Sequence, residues 1–303
     1  MPKTFRGFAR ERDQFTMQLD RELSRLILRS QKVLRTMIIS ELTSRLSIGS
    51  GSFVSSPSNI LAASDIIDTV FQRWTRTQGV DIVNFIGKNI FDIHALNTRY
   101  YSSFLNVSDV MASGDKVLSM SLSKYGVNAD GTINPSGYLA DLITDRSMAR
   151  QMKSTINTAI STEKEVGKLI SDVNQSLGTN GAGLLEQKMS EGLPSGMLQV
   201  DRETNNNFAA DLKLDYAIYQ GGEIKTTRPF CLERNGKVFS REEIERFGTS
   251  RDQFGGYTNK SQGQFQGKTK IYDPFEDLGG YNCRHFYSWI SERMAFAMRS
   301  DLK

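Results

Sequence analysis

Apolar positions recur with a helical period along most of this chain. From residue 9 to residue 46, Leu19, Leu23, Leu26, Leu34, Met37 and Leu42 return mostly every three or four residues, and Ile27, Val33, Ile38 and Ile39 widen the stripe. That spacing gathers the apolar side chains on one face of an α-helix. No Gly or Pro interrupts it, and at 1.5 Å per residue the segment would run for about 57 Å. A helix of that length has too much apolar face for a small domain to bury, so the pattern predicts packing against partner helices or another subunit. A hairpin broken near Ser30 competes with this reading. Arg12, Arg21, Arg25, Arg29, Lys32, Arg35 and Arg45 take much of the remaining surface. They are read as a solvated face first and as phosphate contacts second.

The same period returns further on. Residues 47 to 59 are rich in Ser and Gly and read as a linker or loop. Ser58 or Asn59 then caps a helix from Ile60 to Arg76, Gly79 marks a break, and a third helix follows from Asp81 to about Val107. His94 sits beside its apolar stripe and reads as a structural histidine. A short helix over Asp115 to Tyr125 precedes dense turn signals at 128–131 and 134–137. The first of these resembles a calcium loop weakly, but Leu139 stands where the closing acid is required. Tyr138 to Leu177 reads as helix with breaks at Asp145 and near Ser161. Gly178 to Gly183 reads as a hinge or cap, Leu184 to Met189 as a short helix, and 190–213 as a domain boundary with its Asn205-Asn206-Asn207 run.

After residue 213 the pattern changes. Tyr216 to Tyr219 is aromatic and β-prone, and Gly221-Gly222 ends it. Pro229 holds Arg228 in an extended conformation, and Cys231 follows on a segment expected to be buried. Asn235-Gly236 is the strongest turn signal in the chain, with Val238 and Phe239 as the returning strand. Ser240 with Glu243 makes a capping box for a helix through Phe247. Gly279-Gly280 opens a second cluster, Tyr281-Asn282-Cys283-Arg284-His285, in which Cys283 and His285 share a side if the segment is a strand. A last helix is expected over Tyr287 to Arg299.

Composition narrows the class. The 303 residues suffice for two domains, apolar content is 38%, and mean hydropathy is −0.40. No run approaches the roughly 18 apolar residues of a membrane span, and Met1 to Arg6 lacks the apolar core of a signal peptide. Retention in a cytoplasm is the expectation. A net charge of +4 permits contact with DNA without arguing for it. Two cysteines do not make a disulfide scaffold. No phosphate loop, dinucleotide fingerprint, metalloprotease helix or nucleophile elbow is present.

Both cysteines and one of the two histidines fall in the two clusters. A Cys/His pair can give a thiolate nucleophile, and Cys231, Cys283 and His285 supply three of the four ligands that zinc wants. A structural Cys/His core is favoured over both, so the reading assigns no catalytic group, metal or cofactor. Arg228 and Arg284 read as ties between loops, ahead of phosphate contacts.

Thr226-Thr227-Arg228-Pro229-Phe230-Cys231, then Asn235-Gly236-Lys237, then the Glu-Glu-Ile helix start, then Gly279 to His285 resembles the C-terminal domain of phage minor head proteins, the Mu F-like head morphogenesis family. The resemblance covers roughly residues 210 to 292. The two halves in order are fairly specific, and either alone would be weak. Residues 253 to 268, rich in Gln and Gly, depart from many members. The resemblance places the motif at Thr227, Arg228, Pro229, Cys231, Gly236, Lys237, Gly280, Asn282, Cys283, Arg284 and His285. It implies a non-enzymatic virion protein near the portal that assists head assembly and genome packaging or delivery, in multiple copies, assembled in the host cytoplasm. Its partners would be the portal and other virion proteins, with DNA contact through the basic helix as a further option and no membrane partner. A Cys/His or metal-dependent enzyme and an accessory DNA-binding virion protein are the alternatives. The expected class is α+β: mostly helical over the N-terminal two-thirds, with a small α+β module at the C-terminus. The expected divisions are 1–46, a long helix; 47–200, a helical domain; and 201–303, the Mu F-like domain.

Overall fold

The computed structural model describes the backbone of residues 3–144, 146–178, 183–193, 196–249, 252, 272–280 and 283–302. Its helices are α1 (Lys3–Arg45), α2 (Pro57–Trp74), α3 (Val80–Ser102), α4 (Val107–Tyr125), α5 (Tyr138–Thr144), α6 (Ser147–Ser161), α7 (Val166–Leu177), α8 (Leu184–Gly192), α9 (Met197–Asp211), α10 (Pro229–Arg234), α11 (Arg241–Glu245) and α12 (Glu292–Met298). Its strands are β1 (Ile48–Gly49), β2 (Ser52–Phe53), β3 (Tyr216–Gly221), β4 (Val238–Ser240) and β5 (His285–Ile290). The class is α+β, mostly helical before a small C-terminal sheet. Asp145 and residues 253–268, expected to hold a helix break and an insertion, lie outside the described residues. So do 179–182, the middle of the expected hinge.

Two compact units form, and neither is continuous in sequence. One takes residues 1–20, 88–123 and 193–303; the other takes 21–87 and 124–192. Each unit thus takes in pieces of more than one of the expected divisions, and Leu193 opens a segment close to residue 200. α1 runs unbroken through Ser30, without a hairpin, to Arg45 and contributes to both units.

The second unit is a helical bundle with an apolar core. Leu23, Ile27, Leu34, Ile38 and Leu42 of α1 are buried there, as are Ile66, Ile67, Val70 and Trp74 of α2 and Met152, Ile156 and Ile160 of α6. α2 starts one turn earlier than expected. Ser56 caps it, accepting from Asn59 N–H at 3.2 Å, with Pro57 at the first helical position. Asn59 is buried and ties the preceding segment, donating to Ser47 O and Val54 O and accepting from Ser47 N–H. The expected linker is therefore a pinned hairpin, β1 against β2. Gly79 does not break the chain. Thr75–Gly79 forms a π-helical turn between α2 and α3, and a Cβ at Gly79 would stand 3.2 Å from Ile143 Cδ1.

The first unit holds the sheet, in the order β4-β3-β5, all antiparallel. The Asn235-Gly236 turn joins α10 to β4, with Gly236 at φ 77°. The capping box of Ser240 and Glu243 starts α11. Two segments differ from expectation. Residues 197–211, expected to be part of a boundary, form the buried helix α9. Residues 285–290, expected to begin a helix at Tyr287, form the fully buried strand β5, and the helix starts only at Glu292. The alternation in His285-Phe286-Tyr287-Ser288-Trp289-Ile290 is hidden because both faces of β5 are covered, so the residues read as an apolar run. His94 is structural: its Nε2 lies 2.7 Å from Gly114 O, and burial holds its pKa below the ordinary value.

Candidate functional site

The two clusters meet in the interior of the first unit. Arg228 is extended (φ −72°, ψ 148°), Pro229 opens α10, and one turn of helix aims Cys231 inward. The second cluster arrives through a turn, residues 274–279, with Leu278 and Gly280 at positive φ (45° and 90°). Asp277 holds that turn by accepting from Asp273 N–H at 2.8 Å. Cys283 then lies 3.7 Å from Cys231, sulfur to sulfur, and 3.7 Å from His285 Nδ1. All three residues are 2% exposed.

Three further groups enclose the sulfurs. The Tyr219 hydroxyl on β3 donates to Cys231 Sγ at 3.2 Å and lies 4.0 Å from Cys283 Sγ. Its ring stacks on His285 at 5.3 Å between centroids. Gly279 N–H donates to Cys283 Sγ at 3.3 Å. A side chain at Gly279 would collide with Cys231 Sγ, so the close approach requires glycine. The two thiols are electrostatically unequal. The hydrogen bond to Cys283 and burial push the Cys231 thiol up. Burial also opposes charge on Cys283, but the contacts with Cys231 and His285 and the Arg202 guanidinium outweigh it and bring that thiol below its ordinary value. His285 Nε2 is buried with no hydrogen-bond partner among the described residues.

The remaining motif residues build the frame. Thr227 closes a turn, its hydroxyl accepting from Ile224 N–H at 2.7 Å. Gly236 N–H donates to Tyr219 O, and Lys237 O accepts from Tyr219 N–H, joining the turn to β3. Arg228 is half-buried and Arg284 is exposed. Asn282 lies outside the described residues.

Arg202 and Arg234, which the sequence reading did not single out, brace the segments around the two clusters. Arg202 on α9 donates to the carbonyls of Cys283, His285 and Glu276. Arg234 lies over Phe230 and Phe247, 3.8 and 4.6 Å from their centroids, and pairs with Asp252. Arg12, expected on the solvated face of α1, is instead completely buried. It donates to Asn205 Oδ1 (2.9 Å) and Tyr287 O (2.7 Å) and pairs with Asp201 at 3.5 Å. Asn205 also donates to Tyr287 O, and Tyr100 donates to Trp289 O. Alternate carbonyls of the edge strand β5, at 285, 287 and 289, thus receive side-chain donors from α9, α1 and α3. The available signal was the four-residue spacing of Asp201 and Asn205, and of Arg202 and Asn206, which a helix places on one face.

No family model, curated protein or solved structure matches the chain.

Proposed function

We propose that the chain is a phage structural protein, a minor capsid or head morphogenesis component of the portal region that assists head assembly and genome packaging or delivery. One observation carries the reading. The two motif halves that resemble the Mu F-like family, 52 positions apart at their cysteines, close into a single core with the sulfurs 3.7 Å apart. A motif whose halves fold together behaves as one unit, as the resemblance requires. Burial of Cys231, Cys283 and His285 supports an architectural role for them over turnover, because a nucleophile must meet its substrate. On this reading the protein resides in the virion, in several copies, after assembly in the host cytoplasm. The expected result is co-sedimentation of the purified chain with heads or portal complexes. Absence from both mature particles and assembly intermediates overturns the proposal.

Contact with DNA is a second role for the same protein. Arg21, Arg25, Arg29, Lys32 and Arg45 lie exposed on α1. Affinity for duplex DNA that falls steeply with salt supports it, since phosphate contacts release counterions. Salt-independent binding, or none, removes it.

A further inference from the structure

Cys231, Cys283 and His285 converge more closely than a packed core demands. We infer that these three side chains form a binding site for one zinc ion per chain, held on two thiolates and the imidazole.

The geometry is the first ground. The ligand atoms of the three residues all lie within 4.8 Å of one another. Two of the separations, sulfur to sulfur and Cys283 sulfur to His285 Nδ1, are each 3.7 Å. Tetrahedral zinc with Zn–S near 2.3 Å and Zn–N near 2.0 Å sets its ligand atoms roughly 3.5–3.8 Å apart. Two thiols in van der Waals contact would also show such a spacing. A disulfide would not, because its sulfurs lie about 2.05 Å apart. An imidazole nitrogen at the same distance from the same sulfur is what simple packing does not require.

The surroundings are the second ground. Ligand sulfurs are held by outer hydrogen bonds that orient them, and here Gly279 N–H points at Cys283 while the Tyr219 hydroxyl points at Cys231. The same hydroxyl places an oxygen beside both sulfurs. His285 is oriented by its stack on Tyr219 and by Arg202, which holds its carbonyl at 2.8 Å. Soft sulfur with imidazole selects zinc over magnesium or calcium, which prefer oxygen. The site joins α10 to the segment that runs from Cys283 into β5, pieces 52 positions apart at their cysteines. Metal binding would therefore add to folding stability directly. The inference rests on side-chain geometry and stands apart from the virion reading: particle sedimentation tests that one, metal content this one.

The test uses the full chain. It is purified under reducing conditions, loaded with Zn²⁺, desalted and assayed for metal; a second sample is loaded with Co²⁺. One equivalent of zinc per chain is expected. The cobalt form should show thiolate-to-metal charge transfer and the intense visible bands of tetrahedral coordination. Cys231→Ser, Cys283→Ser and His285→Gln should each lower retained zinc at least tenfold, with folding checked by circular dichroism. Should the variants fail to fold, the wild-type cobalt spectrum decides alone. Zinc well below one equivalent, a cobalt spectrum without sulfur ligation, zinc retained in folded Cys→Ser variants, or a disulfide in the reduced preparation would each overturn the inference.

Discussion

The two units bury different chemistry. The helical unit fills its interior mainly with Leu, Ile, Val, Met and Trp on α1, α2 and α6, and its buried polar residues among those described, Ser30, Gln31 and Asn59, are all uncharged. The sheet-bearing unit has an aromatic and aliphatic core too, but it also buries Arg12, Asp201, Arg202, Asn205, Arg234, Asp252 and His285. The difference follows from topology. A helix satisfies its own backbone, so a helical bundle needs only apolar faces. A sheet has edges, and an unpaired edge placed in the interior leaves carbonyls without partners. β5 is such an edge, and the buried guanidinium, amide and phenol groups supply its missing donors.

Substitutions should therefore act differently in the two units. The largest effect is expected for Arg12→Met, which leaves Asp201 buried without its cation and removes a donor from Tyr287 O. Denaturant unfolding should show a loss of about 3–5 kcal/mol. Arg29→Ala, on the exposed face of the same helix, should change stability by no more than about 0.5 kcal/mol. Equal effects for the two would end the comparison. In the apolar unit Ile156→Ala creates a cavity beside α2 and should cost about 3 kcal/mol by the same measurement. Ser240→Ala removes the cap of α11 and should cost about 1 kcal/mol.

The smallest effect concerns pH. Burial, partly offset by the Arg12 guanidinium, holds the Asp13 carboxyl above its ordinary range, and its Oδ1 is buried without a hydrogen-bond partner among the described residues. A raised carboxyl stabilises the fold fully below its unfolded value and loses that contribution as pH rises through the folded one. Near neutral pH, Asp13→Asn should thus raise the unfolding midpoint. The gain over the parent should shrink toward acid pH, and a gain that is constant with pH would contradict the assignment.

Legibility in the sequence divides along the same line. The stripe of Leu19, Leu23, Leu34 and Leu42 announces α1, because apolar burial leaves a period. The β3 strand, the Asn235-Gly236 turn and the Ser240 capping box are local signals, and each lies where the sequence puts it. The meeting of Cys231 with Cys283 is legible only as two clusters of unusual composition. The partners of β5 are not legible: Asn205-Asn206-Asn207 has the composition of a linker, and only its contacts with the carbonyls of β5 and its neighbours make it part of a core. Arg12 is one of many arginines on its helix, and periodicity alone cannot say which is inside. α4 begins at Val107, ahead of its expected start at Asp115: Gly114, which lowers helix propensity, hides its first turns.

The π turn at Thr75–Gly79 also sets a phase. An α turn uses 3.6 residues, and a π turn admits one more, so the next stripe begins about 100° from where an unbroken ladder would place it. Straightening that turn into α with the sequence kept would swing Ile82, Val83 and Ile86, all buried, toward water, whereas deleting one residue along with the turn would restore their phase. That one supernumerary residue works as a rotational index: the turn absorbs it, and losing the turn without the residue would scramble a bundle that every individual side chain still favours.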